Sequence, residues 1–203
     1  MIKTIISGGI VMIPIILCGV IAIYIVIERI IYFASIKKKD KILMEQLKLN
    51  LEKQDWAAAE ANCIVASTPT SSVIRKVIQY RHLQEKDLKE IVQTEMDGVV
   101  PKFEHLLTAL ATVASISTLL GLLGTVTGNI KAFGVLGNGG SMGDPALLAN
   151  AIAEALITTV GGLVVAIPSM VFNNFFNSLV NHRIRDMEAN VTEFVMKITG
   201  KGI

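Results

Sequence analysis

The amino-acid sequence predicts an all-α membrane protein: three transmembrane helices, with long helices extending into the cytoplasm. Three observations predict it. Of 203 residues, 52% are hydrophobic and only 18% charged, a balance that leans away from soluble domains. Three runs without a charged side chain, Ile5 to Ile27, Leu106 to Ile130 and Ala155 to Val180, each exceed the roughly 20 residues that a helix needs across a hydrocarbon core of about 30 Å. Lysine and arginine are also spread unevenly around those runs, which sets an orientation.

Taken in order, residues 1–35 read as a first transmembrane helix, 36–104 as a cytoplasmic helical insert and 105–131 as a second transmembrane helix. Residues 132–150 read as a periplasmic link, 151–181 as a third transmembrane helix and 182–203 as a cytoplasmic tail. The first span is a retained helix rather than a signal peptide. Only Lys3 precedes it, its apolar stretch is too long, and no small-x-small cleavage site stands before Glu28-Arg29. Pro14 is expected to kink it. In the insert, Leu43, Leu47 and Leu51 recur at helical spacing, as do Val73, Val77 and Tyr80, then Leu88, Ile91, Val92 and Met96. Ser67-Thr68-Pro69-Thr70-Ser71 is a turn signal that offers a helix cap. Pro101 is expected to start the helix that becomes span two. Span three outlasts the hydrocarbon core, so its end, with Asn173, Asn174, Asn177 and Asn181, emerges into water as a continuing helix. Arg29, Lys37, Lys38, Lys39 and Lys41 follow span one, and Arg183 and Arg185 follow span three. The N-terminus is therefore placed in the periplasm, and the insert and tail in the cytoplasm.

Several function classes are excluded. A net charge of +2 with no basic stripe interleaved with aromatics gives no nucleic-acid interface. Cys18 and Cys63 lie in unlike surroundings and form neither a disulfide nor a metal-spacing motif. His82, His105 and His182 are scattered and predict no metal site. No nucleophile–base pair or phosphate loop points to an enzyme.

The candidate site begins at Glu154, a lone carboxylate opening a charge-free run. Carboxylates at such places are costly and mark ion or proton movement. On span two, Ala111, Ala114, Thr118, Gly121, Thr125, Gly128 and Ala132 form one small or hydroxylated stripe. On span three, Ala151, Ala155, Thr158 or Thr159, Gly162, Ala166 and Ser169 form another. Glu154 and Thr158 share a face, whereas Thr159 points some 140° away. Two functions compete for these stripes. Gly121, Gly128, Gly162 and Ala166 suit close helix packing. Thr118, Thr125, Glu154, Thr158 and Thr159 suit an ion pathway. If packing were the whole story, the protein would be a non-conducting membrane scaffold, but packing needs no carboxylate.

The chain resembles the ExbB/TolQ/MotA proton-channel family, and within it the ExbB/TolQ branch. The resemblance rests on Gly121-Leu-Leu-Gly-Thr-Val-Thr-Gly128 in span two and on Ala153-Glu-Ala-Leu-Ile-Thr-Thr-Val-Gly-Gly-Leu-Val-Val-Ala-Ile-Pro168 with Asn173 in span three. Pro14-Ile15, Ile27-Glu28-Arg29 and Pro101-Lys-Phe-Glu104 add to it. It implies an inner-membrane motor subunit, without cofactor or metal, that forms a homopentamer in the lipid bilayer around an ExbD/TolR-like single-span partner. Spans two and three would line the channel, with Thr125, Glu154 and Thr159 near the route of a translocated proton. A TonB- or TolA-like protein would receive the movement. A flagellar-type stator fits less well, because stators of the family usually have four spans. Many relatives have proline where this chain has Thr118, and Asn129 is more polar than the usual aliphatic. These departures would straighten span two and add oxygens compatible with Na+ as well as H+.

Overall fold

The computed structural model describes residues 8–137 and 145–198. Among these described residues there are six helices: α1 Met12–Glu52, α2 Trp56–Ala66, α3 Pro69–Gln79, α4 Glu85–Glu104, α5 Leu107–Gly137 and α6 Pro145–Ile198. No strand occurs among the described residues. Three helical stretches, Met12–Glu52, Lys86–Gly137 and Pro145–Ile198, are long and apolar enough to cross a membrane. The class predicted from the sequence is the class found.

Local chemistry sets the helix ends, and two prolines play other parts than expected. Gly9 takes φ +64° and its carbonyl accepts from Met12 N–H, so α1 starts at Met12. Of the run predicted to span from Ile5, residues 5–7 lie outside the described residues and 8–11 form turns. Pro14 therefore sits in the first turn of α1, where no intrahelical partner is required of the N–H, and it has no bond to break there. Likewise Pro101 does not start span two. It lies in the last turn of α4, and the chain then breaks at His105–Leu106, where Leu106 has φ +65°. Span two begins anew at Leu107.

The predicted turn at Ser67–Ser71 is present. Thr68 caps α3 through Ser71 N–H, Ser71 Oγ accepts from Thr68 N–H, and Pro69 occupies the first helical turn. Asp55 caps α2 by accepting from Ala58 N–H. Within α6, Pro168 removes one backbone bond, yet the helix continues. Next to it, Ser169 Oγ donates to the Val165 carbonyl at 2.7 Å.

The chain forms two compact units. The first comprises the residues up to Ile27 together with Leu106–Phe175. It is built inside out relative to a soluble domain. Small residues such as Ala114, Gly121, Gly124, Gly128, Ala155, Gly162 and Ala166 are buried, while Ile13, Leu17, Leu119, Leu122, Leu156, Val160 and Val164 are exposed. In water this would be unstable. In lipid, outward aliphatics cost nothing, and backbones brought close by small residues gain van der Waals contact.

The second unit comprises Glu28–His105 and the chain from Phe176 onward. Its interior is conventional: Leu43, Leu47, Val73, Ile74, Val77, Leu88, Met187, Val191 and Phe194 are all buried. Leu51 of the predicted stripe is half-exposed, and Tyr80 is exposed as the C-cap of α3. Polar groups enter it too, with Arg29, Thr68, Thr70 and Ser71 buried and Asp40 half-buried. Arg29, only 2% exposed, pairs with Glu28, donates to the Phe103 carbonyl and lies over the Tyr32 ring, 4.4 Å from its centroid. Phe33 stacks on Phe176 with centroids 6.1 Å apart. Asp40 on α1 accepts from the hydroxyls of Thr68 and Thr70 at 2.6 and 2.9 Å, tying α1 to the start of α3. Burial pushes the Asp40 carboxyl above its ordinary value, against the opposing pull of the two hydroxyls and Arg183. Burial also pushes the Cys63 thiol up to about 12, and both cysteines are free.

Candidate functional site

The candidate site is the seam between α5 and α6 in the first unit, and glycine makes it possible. A Cβ on Gly162 would lie 2.5 Å from the Ser117 carbonyl oxygen, and one on Gly128 would lie 2.5 Å from the Ala155 Cβ. At Gly121 a Cβ would meet the Thr159 Cα at 3.2 Å. Gly124 accommodates the side chain of Thr158, which is 1% exposed. Ala166 is fully enclosed as well. Backbone thus meets backbone along the seam, as small-residue packing permits.

One hydroxyl crosses it. Thr159 Oγ1 donates to the Gly121 carbonyl at 3.0 Å and lies 3.2 Å from the Ala155 carbonyl of its own helix. The remaining hydroxyls are satisfied locally: Thr158 on the Ala155 carbonyl at 2.8 Å, Thr125 on Leu122 at 2.6 Å and Thr118 on Ala114 at 3.1 Å. With its proton committed to a carbonyl, each oxygen keeps lone pairs that can accept a bond or face a cation.

The seam is rotated slightly from the stripe read on span two. Ser117 and Gly124 fill it alongside Ala114, Gly121 and Gly128, whereas Thr118 is exposed and Thr125 half-exposed on its open flank. Thr158 lies in the seam and Thr159 at its edge. The structure therefore brings Thr158 and Thr159 together with Gly121 and Gly124, and leaves Thr118 and Thr125 outside the packing within this chain. Ser117, fully buried, was not singled out in the sequence.

Glu154 stands at one end of the seam, with its side chain 27% exposed. Its Oε1 accepts from Lys131 Nζ of α5 at 2.6 Å. A Cβ on Gly9 would run into the same Oε1, so the Gly9 backbone lies against this carboxylate. The sequence treated Lys131 only as the end of span two. Its pairing follows from topology: Lys131 closes one charge-free run and Glu154 opens the next, so two antiparallel spans set both at the same level. No group of three or more His, Cys, Asp or Glu that could hold a metal occurs among the described residues.

Comparison with known proteins bears on what such a seam does. Residues 65–189 match the MotA/TolQ/ExbB proton channel family. The chain is 28% identical to the biopolymer transport protein ExbB-like 3 of Synechocystis over 175 residues, 85% of this chain and 83% of that protein. It is 30% identical to the biopolymer transport protein ExbB of Neisseria gonorrhoeae over 135 residues, 60% of this chain and 61% of that one. It is also 38% identical to the Tol-Pal system protein TolQ of Haemophilus influenzae over 99 residues, 49% of this chain and 43% of that one.

Proposed function

Since the chain belongs to the MotA/TolQ/ExbB proton channel family, we propose that it is the ion-channel subunit of an inner-membrane motor that uses the proton motive force. The motor drives an ExbD/TolR-like single-span partner and, through a TonB- or TolA-like protein, energises outer-membrane transport or envelope maintenance. The subunit works as a homopentamer, with its N-terminus in the periplasm and its C-terminus in the cytoplasm. The observation that carries this reading is the seam itself. A carboxylate, Glu154, paired with Lys131, heads a line of hydroxyls on two otherwise apolar helices.

The roles divide accordingly. Gly121, Gly124, Gly128 and Gly162 hold α5 and α6 in contact, which fixes the spacing of the polar groups. Thr118 and Thr125, on the open flank, face neighbouring copies or the partner helix. Glu154 and Thr159 present oxygens along the route of a proton, or of Na+. Each charge moved is worth about 2.3 kcal/mol per 100 mV of membrane potential.

One observation favours a second reading, a non-conducting scaffold: the glycines are consumed by packing within a single chain. Substitution separates the two. Glu154→Ala, Thr125→Val and Thr159→Val are expected to leave assembly intact and to impair energy-dependent function, measured as partner-coupled transport in cells. Full activity in all three variants refutes the ion route and leaves the scaffold.

A further inference from the structure

Among the described residues of the first unit, Lys131 and Glu154 are the only side chains with a formal charge. They lie on different helices, far apart in sequence, and meet at 2.6 Å. Two isolated charges in so apolar a unit, brought to contact, make a built arrangement rather than a chance surface pair. We propose that Lys131 sets the ion selectivity of the route: its ammonium occupies the place beside Glu154 that a metal cation would need. This rests on the ion-route reading above.

The argument is one of charge balance. A sodium ion at Glu154, bound through oxygen as hard cations are, would have to sit beside the ammonium that Lys131 places on Oε1. It would also stand within a few ångströms of a fixed positive charge, where repulsion is strong away from bulk water. A proton is different in kind. It forms an O–H bond on the carboxylate, converting –COO⁻ to –COOH, and leaves no second cation in the site. Loss of the same proton restores the pair. The hydroxyl oxygens of Thr118 and Thr125, compatible with sodium by themselves, lie on a unit whose only carboxylate among the described residues already carries the Lys131 ammonium.

The full chain, reconstituted with its native partner in proteoliposomes, tests this, with proton uptake followed by an entrapped pH dye and sodium uptake by a radioactive tracer. The wild type is expected to take up protons and to exclude sodium. Lys131→Met removes the tethered cation and is expected to raise sodium uptake by ~tenfold or more, given the size of like-charge repulsion at contact. Lys131→Arg keeps the charge and is expected to restore exclusion. If Lys131→Met does not assemble, Lys131→Gln keeps a hydrogen-bond donor without the charge and is expected to admit sodium too. Assembled Met and Gln variants that still exclude sodium would overturn the proposal, as would a wild type that carries sodium. A wild type that carries neither ion removes the ion route first, and the role of Lys131 with it.

Discussion

Gly162 is the position where a single atom decides whether α5 and α6 can meet. Its Cα faces the Ser117 carbonyl and the Gly121 backbone, with no side-chain end between them that could swing aside. Gly162→Val is therefore expected to cost about 1–3 kcal/mol through overpacking, seen as a lower melting temperature of the detergent-solubilised protein. An unchanged melting temperature would mean that the seam is looser than described. At this scale the sequence was legible wherever chemistry was scarce. Glu154 stood out because nothing charged follows it for a whole span. The rotation of the seam was not legible, because α5 carries glycine, alanine, serine or threonine on adjacent stripes. With Ser117 and Thr118, or Gly124 and Thr125, side by side, no contrast in size says which faces inward.

Single elements were legible through their punctuation, and ambiguous where the punctuation was proline. Thr68-Pro69 with Ser71 specified a helix start and made one. Pro14 and Pro101 announced irregularity without saying on which side of it they stood, since proline is tolerated in a first turn and, with one carbonyl unpaired, in a last one. The tie between α1 and α3 was not legible, because it joins residues with no periodic relation. It has a measurable consequence. The Asp40 carboxyl is raised above its ordinary value of 3.8, with burial as the main cause. Between that value and its folded-state value, the folded protein binds more protons than the unfolded chain. Stability contributed here is therefore greatest in acid and falls as pH rises through that window. Asp40→Asn is expected to remove this fall, so that the slope of stability against pH becomes more positive across that window, read by urea unfolding in detergent at a series of pH values. A slope identical to wild type would show that Asp40 titrates as an ordinary exposed carboxylate.

For the molecule as a whole, class and span number were legible because they depend on run length and composition alone. The division into units was not, because each unit joins segments distant in sequence. The second unit closes with Phe176, Met187, Val191 and Phe194, all buried. A chain ending at residue 175 is expected to leave residues 28–105 without those side chains and open to trypsin, which limited proteolysis of membrane fractions would detect. Protection equal to that of the full chain would count against this division. The stacking of Phe33 on Phe176 has a further meaning for biogenesis. The ribosome makes residues 28–105 first, must then thread two more spans into the translocon, and only afterwards supplies the keystone. At about 5–20 residues per second, the nascent chain waits several seconds with apolar side chains uncovered. This leaves a window in which chaperones, or a sister polypeptide on the same polysome, can reach them first.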